Sequence, residues 1–235
     1  MQCSICNKAV ESGRYYHDPF GNYAHADHEI ESCPVCTRII GKSSSRGKVE
    51  YSDGRFICGL CYGFEKPVKE EKTLTRAFLH AKTLLREKGF DFPQNIEVSL
   101  VSGAVFNEAG YSPSMMGLNT SQIGLFESRH DIKVLWGLPF LHTSGILAHE
   151  MLHVWQNCKG ITPDEYISEG LCELGAGLIY KRSGTALGQI LFNNLETNMI
   201  AVYSTGFKTM KKLLETRGWQ AVREYVINSN SSTNC

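Results

Sequence analysis

Apolar side chains recur at helical spacing through most of the chain after residue 72. Residues 73–88 place four apolar side chains on one face and stop at Gly89, which predicts an amphipathic helix. Residues 95–102, NIEVSLVS, alternate and are rich in β-branched side chains, which predicts a strand. The Gly-, Ser- and Asn-rich segment 103–129 predicts short strands, and its best candidate is MGLNTSQIGLF at residues 116–126. Further helices are predicted over residues 139–158, 163–182, 187–214 with a possible break, and 218–228, before a frayed tail at 229–235.

This order of elements predicts an α+β domain over residues 67–235, because strands come first and helices follow. Residues 1–66 have too little continuous apolar sequence to form a core of their own. The intervening EKPVKEEKT, residues 65–73, is charged and has no apolar period, as expected of a linker. A bound metal would therefore supply the folding free energy of the N-terminal module.

Metal-ligating residue types occur in this module as four pairs, each with two intervening residues. A CxxC turn places two thiolates on one side of a tight knuckle, which is half of a tetrahedral zinc shell. Sequential pairing predicts two structural zinc sites, the first with Cys3, Cys6, His25 and His28 and the second with Cys33, Cys36, Cys58 and Cys61. His17 could replace His25, but it has no partner at the same spacing. The turn SDGR, residues 52–55, predicts a short hairpin between knuckles.

Composition narrows the function classes. Six of the 9 cysteines form the CxxC pairs, and the start MQCSICNKAV lacks the regions of a signal peptide, so we expect a cytoplasmic chain whose cysteines bind metal instead of forming disulfides. Lys+Arg and Asp+Glu are both 24, which gives no basic surface for nucleic acid. No apolar run approaches the length of a membrane span.

The predicted helix 139–158 contains ILAHEMLHVWQN, an HExxH motif. On a helix, His149 and His153 project from one face one turn apart and can share a metal ion. Glu150 would lie within reach of a water molecule at that metal without being a ligand, as a general base must. Cys158, on this helix, and Cys172, on the next, are expected to be buried apolar fillers.

A catalytic zinc needs a third protein ligand, and the next helix offers two carboxylates. Thr162 is the predicted N-cap of this helix, and Glu169 and Glu173 follow one turn apart. Helical geometry alone does not separate Glu169 from Glu173. Glycines at positions 170, 175 and 177 would let this helix approach the histidine helix closely.

Three resemblances add to this interpretation. The ligand pairs of residues 1–66 resemble a LIM domain, which implies two closed structural zinc sites and a protein partner. SEGLCE resembles the third-ligand segment of gluzincin peptidases, which implies Glu169 as the ligand. GLPFLHTSGILAHEMLHVWQNCKG, SEGLCE, VYSTGF and DGRFICGLCYG together resemble the LIM-containing zinc peptidases of plants that are activated by ubiquitylation and restrict organ growth.

The resemblance implies a zinc endopeptidase acting on selected proteins, with one catalytic and two structural zinc ions. Glu150 would take a proton from the attacking water and return it to the leaving amine. Tyr203, in VYSTGF, is the candidate donor to the oxyanion. The strand containing MGLNT could pair with an extended substrate. The alternative is a non-catalytic, zinc-stabilised scaffold for protein interactions.

Overall fold

The computed structural model describes residues 1–11, 13–108, 115–124, 128–198 and 200–229. The predicted tail, residues 229–235, and Leu125 and Phe126 of the predicted strand lie outside these residues, except for Ser229. The strands are β1 Tyr15–His17, β2 Tyr23–His25, β3 Lys48–Glu50, β4 Phe56–Cys58, β5 Ile96–Val101, β6 Gly117–Ile123 and β7 Ser128–Leu135. The helices are α1 Gly59–Phe64, α2 Glu71–Arg86, α3 Gly103–Glu108, α4 Phe140–Lys159, α5 Glu165–Ser183, α6 Ala186–Thr197 and α7 Ala201–Asn228.

Two hairpins organise the N-terminal residues. In the first knuckle, which we define as residues 1–30, β1 pairs antiparallel with β2. In the second knuckle, residues 31–64, β3 pairs antiparallel with β4. Gly54, at φ 81°, lies in the turn between β3 and β4, where an L side chain would be strained. This turn confirms the hairpin predicted from SDGR.

A three-stranded sheet in the order β5-β7-β6 lies at the start of the C-terminal part. β5 runs parallel to the central strand β7, and β6 runs antiparallel to it. Along β7, buried His130, Ile132 and Val134 alternate with more exposed polar neighbours. The structure confirms the predicted strands at β5 and at the described part of β6. The sequence analysis missed β7 and the short helix α3.

The helix α4 is central to the C-terminal part, because α2, α5, β6 and β7 all pack against it. Its buried residues include Leu147, Met151, Val154 and Trp155, which are apolar side chains at helical spacing. α5 packs between α4 and α7. The histidine helix is therefore held on several sides, which fixes the direction of its polar face.

The second knuckle shares one continuous core with the C-terminal part, whereas the buried residues of the first knuckle pack with Ile39 of the second in a small separate cluster. Hydrogen bonds add to this contact: the hydroxyl of Tyr51 donates to the carbonyl of Gly137, and the N–H of Gly103 donates to Asp53 over 3.0 Å. Burial therefore continues across residue 66. The division into domains 1–66 and 67–235 stays a prediction of the sequence.

One predicted helix start was wrong, and one predicted break is confirmed. The N-cap of α5 is Asp164, at ψ 147°, so Thr162 is not the N-cap. The predicted helix 187–214 is two helices, α6 and α7, and the expected break falls between Thr197 and Ala201. A kink at Gly218, with φ 78° and ψ 176°, separates the last predicted helix from the first part of α7. Among the described residues, no helix is long and apolar enough to span a bilayer.

Candidate metal centres

The first knuckle brings together the four residues predicted as ligands of the first site, Cys3, Cys6, His25 and His28. Sγ of Cys6 lies 3.5 Å from Nδ1 of His25, which lies 3.3 Å from Nε2 of His28. Nε2 of His25 lies 2.9 Å from the carbonyl oxygen of Ala9, which leaves Nδ1 for a metal. Although burial would raise the pKa of Cys3, hydrogen bonds from the backbone at Cys6 and His25 lower it to about 6, which favours the thiolate.

The second knuckle brings together the four predicted cysteines Cys33, Cys36, Cys58 and Cys61, all of them buried. Sγ of Cys36 lies 3.7 Å from Sγ of Cys58. The backbone N–H of Cys58 donates to Sγ of Cys33, and that of Cys61 donates to Sγ of Cys58, each over 3.3 Å. Such N–H···S bonds stabilise the ionised thiolates that zinc requires.

These separations match tetrahedral zinc. Zinc bonds sulfur at about 2.3 Å and nitrogen at about 2.0–2.1 Å, so ligand atoms lie about 3.8 Å (S···S), about 3.6 Å (S···N) and about 3.3 Å (N···N) apart. The corresponding distances in the two knuckles are 3.7, 3.5 and 3.3 Å. The cluster of two cysteines and two histidines in the first knuckle and the cluster of four cysteines in the second could therefore each hold zinc.

A third convergence lies between α4 and α5. His149 and His153, one turn apart on α4, place their Nε2 atoms 3.2 Å apart. On α5, Oε2 of Glu169 lies 3.3 Å from Nε2 of His149, and Oε1 of the same carboxylate lies 3.5 Å from Nε2 of His153. This triangle of two nitrogens and a carboxylate again has the edge lengths of a zinc shell.

Glu169 has the electrostatic setting of a ligand carboxylate. Its Oε2 is buried and has no hydrogen-bond partner of good geometry among the described residues, although it faces His149. A buried carboxylate oxygen without a partner is costly, and a cation between it and the imidazoles would satisfy it. Burial opposes ionisation of Glu169, but its close interactions with the imidazoles of His149 and His153 hold its pKa well below the usual range.

The second ring nitrogen of each histidine faces an acceptor. Nδ1 of His149 lies 3.8 Å from Glu173, so the two carboxylates that sequence could not separate face opposite nitrogens of one ring. Nδ1 of His153 lies 3.3 Å from Oε1 of Gln156, which also accepts a 2.8 Å hydrogen bond from Ser168 on α5. Such acceptors fix ring orientation in metal sites. The sequence analysis missed Gln156, although its place three residues after His153 on one helix was a usable signal.

Glu150 is 8% exposed and lies next to the histidine pair. Burial raises its pKa, and a hydrogen bond from the backbone of Asn119 on β6 opposes that shift. β6 approaches closely at Gly117, where a Cβ atom would lie 2.8 Å from Oε1 of Glu150. Glu150 is thus held between its own helix and an edge strand.

The predicted glycines contact different helices. A Cβ at Gly175 would lie 2.4 Å from a methyl group of Leu152 on α4, as the sequence predicted. A Cβ at Gly170 would instead overlap the backbone of Gly206 on α7, so this glycine permits the contact between α5 and α7. Gly177 faces α6 and α7. For Gly170 and Gly177, the predicted approach to the histidine helix was wrong.

Tyr203 lies on α7 and is half-buried. Burial raises the pKa of its hydroxyl, and the nearby charges of Glu169 and Glu173 raise it further. The side chain is therefore close enough to Glu169 and Glu173 for their charges to affect it, and its neutral hydroxyl is available as a hydrogen-bond donor.

The two cysteines expected as fillers differ. Cys158 is exposed at the end of α4, and its Sγ lies 3.4 Å from Nε2 of His130, so the prediction of burial was wrong. Cys172 is fully buried as predicted, but its thiol belongs to a cluster with His149 and His153 whose ligand atoms all lie within 4.8 Å of one another. The sequence analysis missed this proximity.

The segment that contains the third cluster is similar to a known protein family. Residues 81–182 match the DA1-like family, described as Protein DA1. Protein DA1 of Arabidopsis thaliana is 22% identical over an alignment of 296 residues, which covers 96% of this chain and 55% of that protein. Protein DA1-related 1 of the same plant is 36% identical over 80 residues, 33% of this chain. Protein DA1-related 7, also from Arabidopsis thaliana, is 24% identical over 210 residues, 73% of this chain.

The chain spans about half the length of Protein DA1 and smaller parts of the two DA1-related proteins. No solved structure matches the chain. The DA1-like segment includes His149, Glu150, His153, Glu169 and Cys172, whereas Tyr203 and both knuckles lie outside it. These comparisons support homology to the DA1-like family, which agrees with the resemblance read from the motifs.

Proposed function

We propose that the chain is a zinc-dependent endopeptidase that hydrolyses peptide bonds of selected protein substrates, with residues 67–235 as a gluzincin-like domain. One observation carries the proposal: Nε2 of His149, Nε2 of His153 and the Glu169 carboxylate have the mutual separations of zinc ligands. Glu150 stands directly beside them. A helix whose two histidines had only a structural role would not require these separations or an adjacent glutamate.

His149, His153 and Glu169 would hold the catalytic ion, and the partnerless Oε2 of Glu169 fits that role. Zinc bound there would polarise the substrate carbonyl and lower the pKa of a bound water. Glu173 and Gln156 orient the two imidazoles from behind, which keeps both Nε2 atoms directed at one point.

Glu150 would act as the general base. Its carboxylate has no role in the ligand triangle, and burial raises its pKa towards the range useful for proton transfer at neutral pH. It would take a proton from the attacking water and deliver it to the amine that leaves. The hydrogen bond from Asn119 would keep the carboxylate in place during both transfers.

Substrate binding would use β6 and Tyr203. β6 is an edge strand that packs against α4, so its outer edge offers backbone donors and acceptors to an extended peptide beside Glu150. The hydroxyl of Tyr203 would donate a hydrogen bond to the oxyanion that forms at the attacked carbonyl. A Tyr203→Phe variant would then lose turnover while keeping its metal.

The two knuckles would hold structural zinc ions as a LIM-like module. Each has four protein donors, which leaves no open coordination position for chemistry. The first knuckle exposes Tyr15 and Tyr16, at 41% and 56%, on a surface that could contact a protein partner. The module would position that partner or the substrate relative to the peptidase domain.

The test compares the full chain with its Glu150→Gln variant on a peptide library derived from a proteome, using mass spectrometry of new peptide ends. Gln preserves size but cannot accept a proton, so cleavage should fall at least a thousandfold while zinc content and circular dichroism stay unchanged. Glu165→Gln, an exposed change on α5, is the matched control and should cleave normally.

Zinc content decides between the peptidase and the scaffold. Three zinc ions per chain are expected for the peptidase, and two for a scaffold whose C-terminal part binds none. Equal cleavage by the Glu150→Gln variant and the unmodified chain would contradict the general-base assignment. Two zinc ions and no cleavage would contradict the peptidase itself.

A further inference from the structure

Cys172 lies on the face of α5 that meets the histidine pair. It follows Glu169 by three residues, so both side chains project from neighbouring turns towards α4. Its side chain is fully buried, and its Sγ belongs to the cluster in which all ligand atoms lie within 4.8 Å of one another. The Glu169 carboxylate and the Cys172 thiol therefore both face the imidazoles from α5.

The surroundings of Cys172 differ from those of an ordinary cysteine in a protein core. A free cysteine in a core behaves as a small apolar side chain and packs against other apolar groups. Cys172 instead faces the imidazoles of His149 and His153, and its Sγ lies within 4.8 Å of a ring nitrogen of each. The thiol thus stands among groups that would ligate a cation.

Sγ of Cys172 lies close to the distance from the imidazoles that a zinc ligand would have. A tetrahedral zinc ion keeps sulfur and nitrogen ligands about 3.6 Å apart, so Sγ is no more than about 1.2 Å beyond that separation from either imidazole. A rotation of the Cys172 side chain covers such a distance without movement of α5. Thiolate is also among the strongest protein ligands for zinc.

We propose that Sγ of Cys172 is the fourth protein ligand of the metal held by His149, His153 and Glu169, so that the resting site is closed. This inference rests on the proposed function, since it requires the third metal. Four protein donors leave no position for water in a tetrahedral shell. The resting enzyme would be latent, and release of the thiolate would open the position that hydrolysis needs.

The test is cadmium NMR of the full chain after its zinc is replaced by isotopically enriched cadmium. Each site gives its own resonance, and the resonance moves to higher frequency with each thiolate that binds the ion. The signal that disappears in a His149→Ala variant identifies the third site. In the unmodified chain, this signal should lie in the range for one sulfur ligand, and in Cys172→Ala it should shift to the range for nitrogen and oxygen ligands only.

Cys158→Ala is the matched control, because Cys158 lies on the histidine helix but contacts His130 instead of the histidine pair. All three signals should be unchanged in it. A third signal in the sulfur-free range for the unmodified chain overturns the inference, even if Cys172→Ala does not fold. Absence of any third signal, with two cadmium ions per chain, overturns the proposed function itself, so the two failures are distinct.

Discussion

Oε1 of Glu173 lies 3.8 Å from Nδ1 of His149, while Nε2 of the same ring lies 3.3 Å from Glu169. One carboxylate thus faces each side of the imidazole. We expect Glu173→Gln to weaken zinc binding at the third site by about tenfold to a hundredfold, because a neutral amide orients the ring less strongly and makes it a poorer ligand. Competition with a chromophoric chelator measures this affinity.

Glu165→Gln removes a charge from the exposed first turn of the same helix and should leave the affinity unchanged. If Glu173→Gln binds the third zinc as tightly as the unmodified chain, Glu173 does not orient His149.

Gly117 allows β6 to lie directly over Glu150, the proposed general base. An added Cβ would be 2.4 Å from a methyl group of Ile146 and 2.8 Å from Glu150. Gly117→Ala should therefore lower the free energy of unfolding by about 1–3 kcal/mol, as overpacking does, and should reduce cleavage by moving Glu150. Urea denaturation and the peptide-library assay measure the two effects.

Gly63→Ala is the control for Gly117→Ala, since a Cβ at Gly63 meets nothing within 4 Å. It should leave cleavage unchanged and should not lower the free energy of unfolding, because alanine is a better helix former than glycine. Wild-type stability and cleavage in Gly117→Ala would show that β6 can move away without cost.

His142 makes stability depend on pH. Burial lowers its pKa to about 4, from about 6.5 in the unfolded chain. Between these values the unfolded state binds a proton that the folded state does not. The contribution of neutral His142 to the free energy of unfolding is therefore fully present above about pH 6.5 and is lost as the pH falls to about 4. The loss from this residue is about 3 kcal/mol.

The measurement is urea denaturation of the unmodified chain and His142→Phe at each pH. The difference in unfolding free energy between them should change across this window and remain constant above it. Because both proteins contain the same metal clusters, acid effects on those clusters largely cancel. His17→Gln, at an exposed position, should match the unmodified chain.

The two knuckles should differ in how far the loss of a ligand spreads. Cys36 lies in the core shared with the C-terminal part, whereas Cys6 packs against the small separate cluster, which includes Ile39 of the second knuckle. Cys36→Ser should therefore increase hydrogen exchange in α2 and α4, and Cys6→Ser should increase it in residues 1–30 and around Ile39 but not in α4. Equal protection of α4 in both variants would contradict the continuity of the core.

Local spacing was enough to predict most of the metal clusters. A CxxC turn and an HExxH helix place their ligands within one or two turns, so sequence separation determines spatial separation. The choice between Glu169 and Glu173 depended on how α5 rotates against α4, which no local pattern specifies. The same is true of Cys172, whose thiol reaches the histidines only through that rotation.

The missed strand β7 has a different cause. His130, Ile132 and Val134 alternate with charged residues, so the strand signal was present in the sequence. Its central position is set by pairing with β5, whose partner residues lie 34 positions earlier in the chain, and with β6. Thr162 was predicted as the N-cap because Glu165 follows it three residues later, but Asp164 has the non-helical ψ of 147° and the helix starts after it.

The backbone contact between Gly170 and Gly206 ties Tyr203 to the ligand helix. Each glycine stands where a methyl group would overlap the other helix, and Gly206 lies three residues after Tyr203. A larger residue at position 206 would meet the α5 backbone at Tyr166 and Gly170, directly beside Glu169, and would force the two helices apart. The absence of both side chains therefore sets the distance between the helix that carries Tyr203 and the helix that carries Glu169.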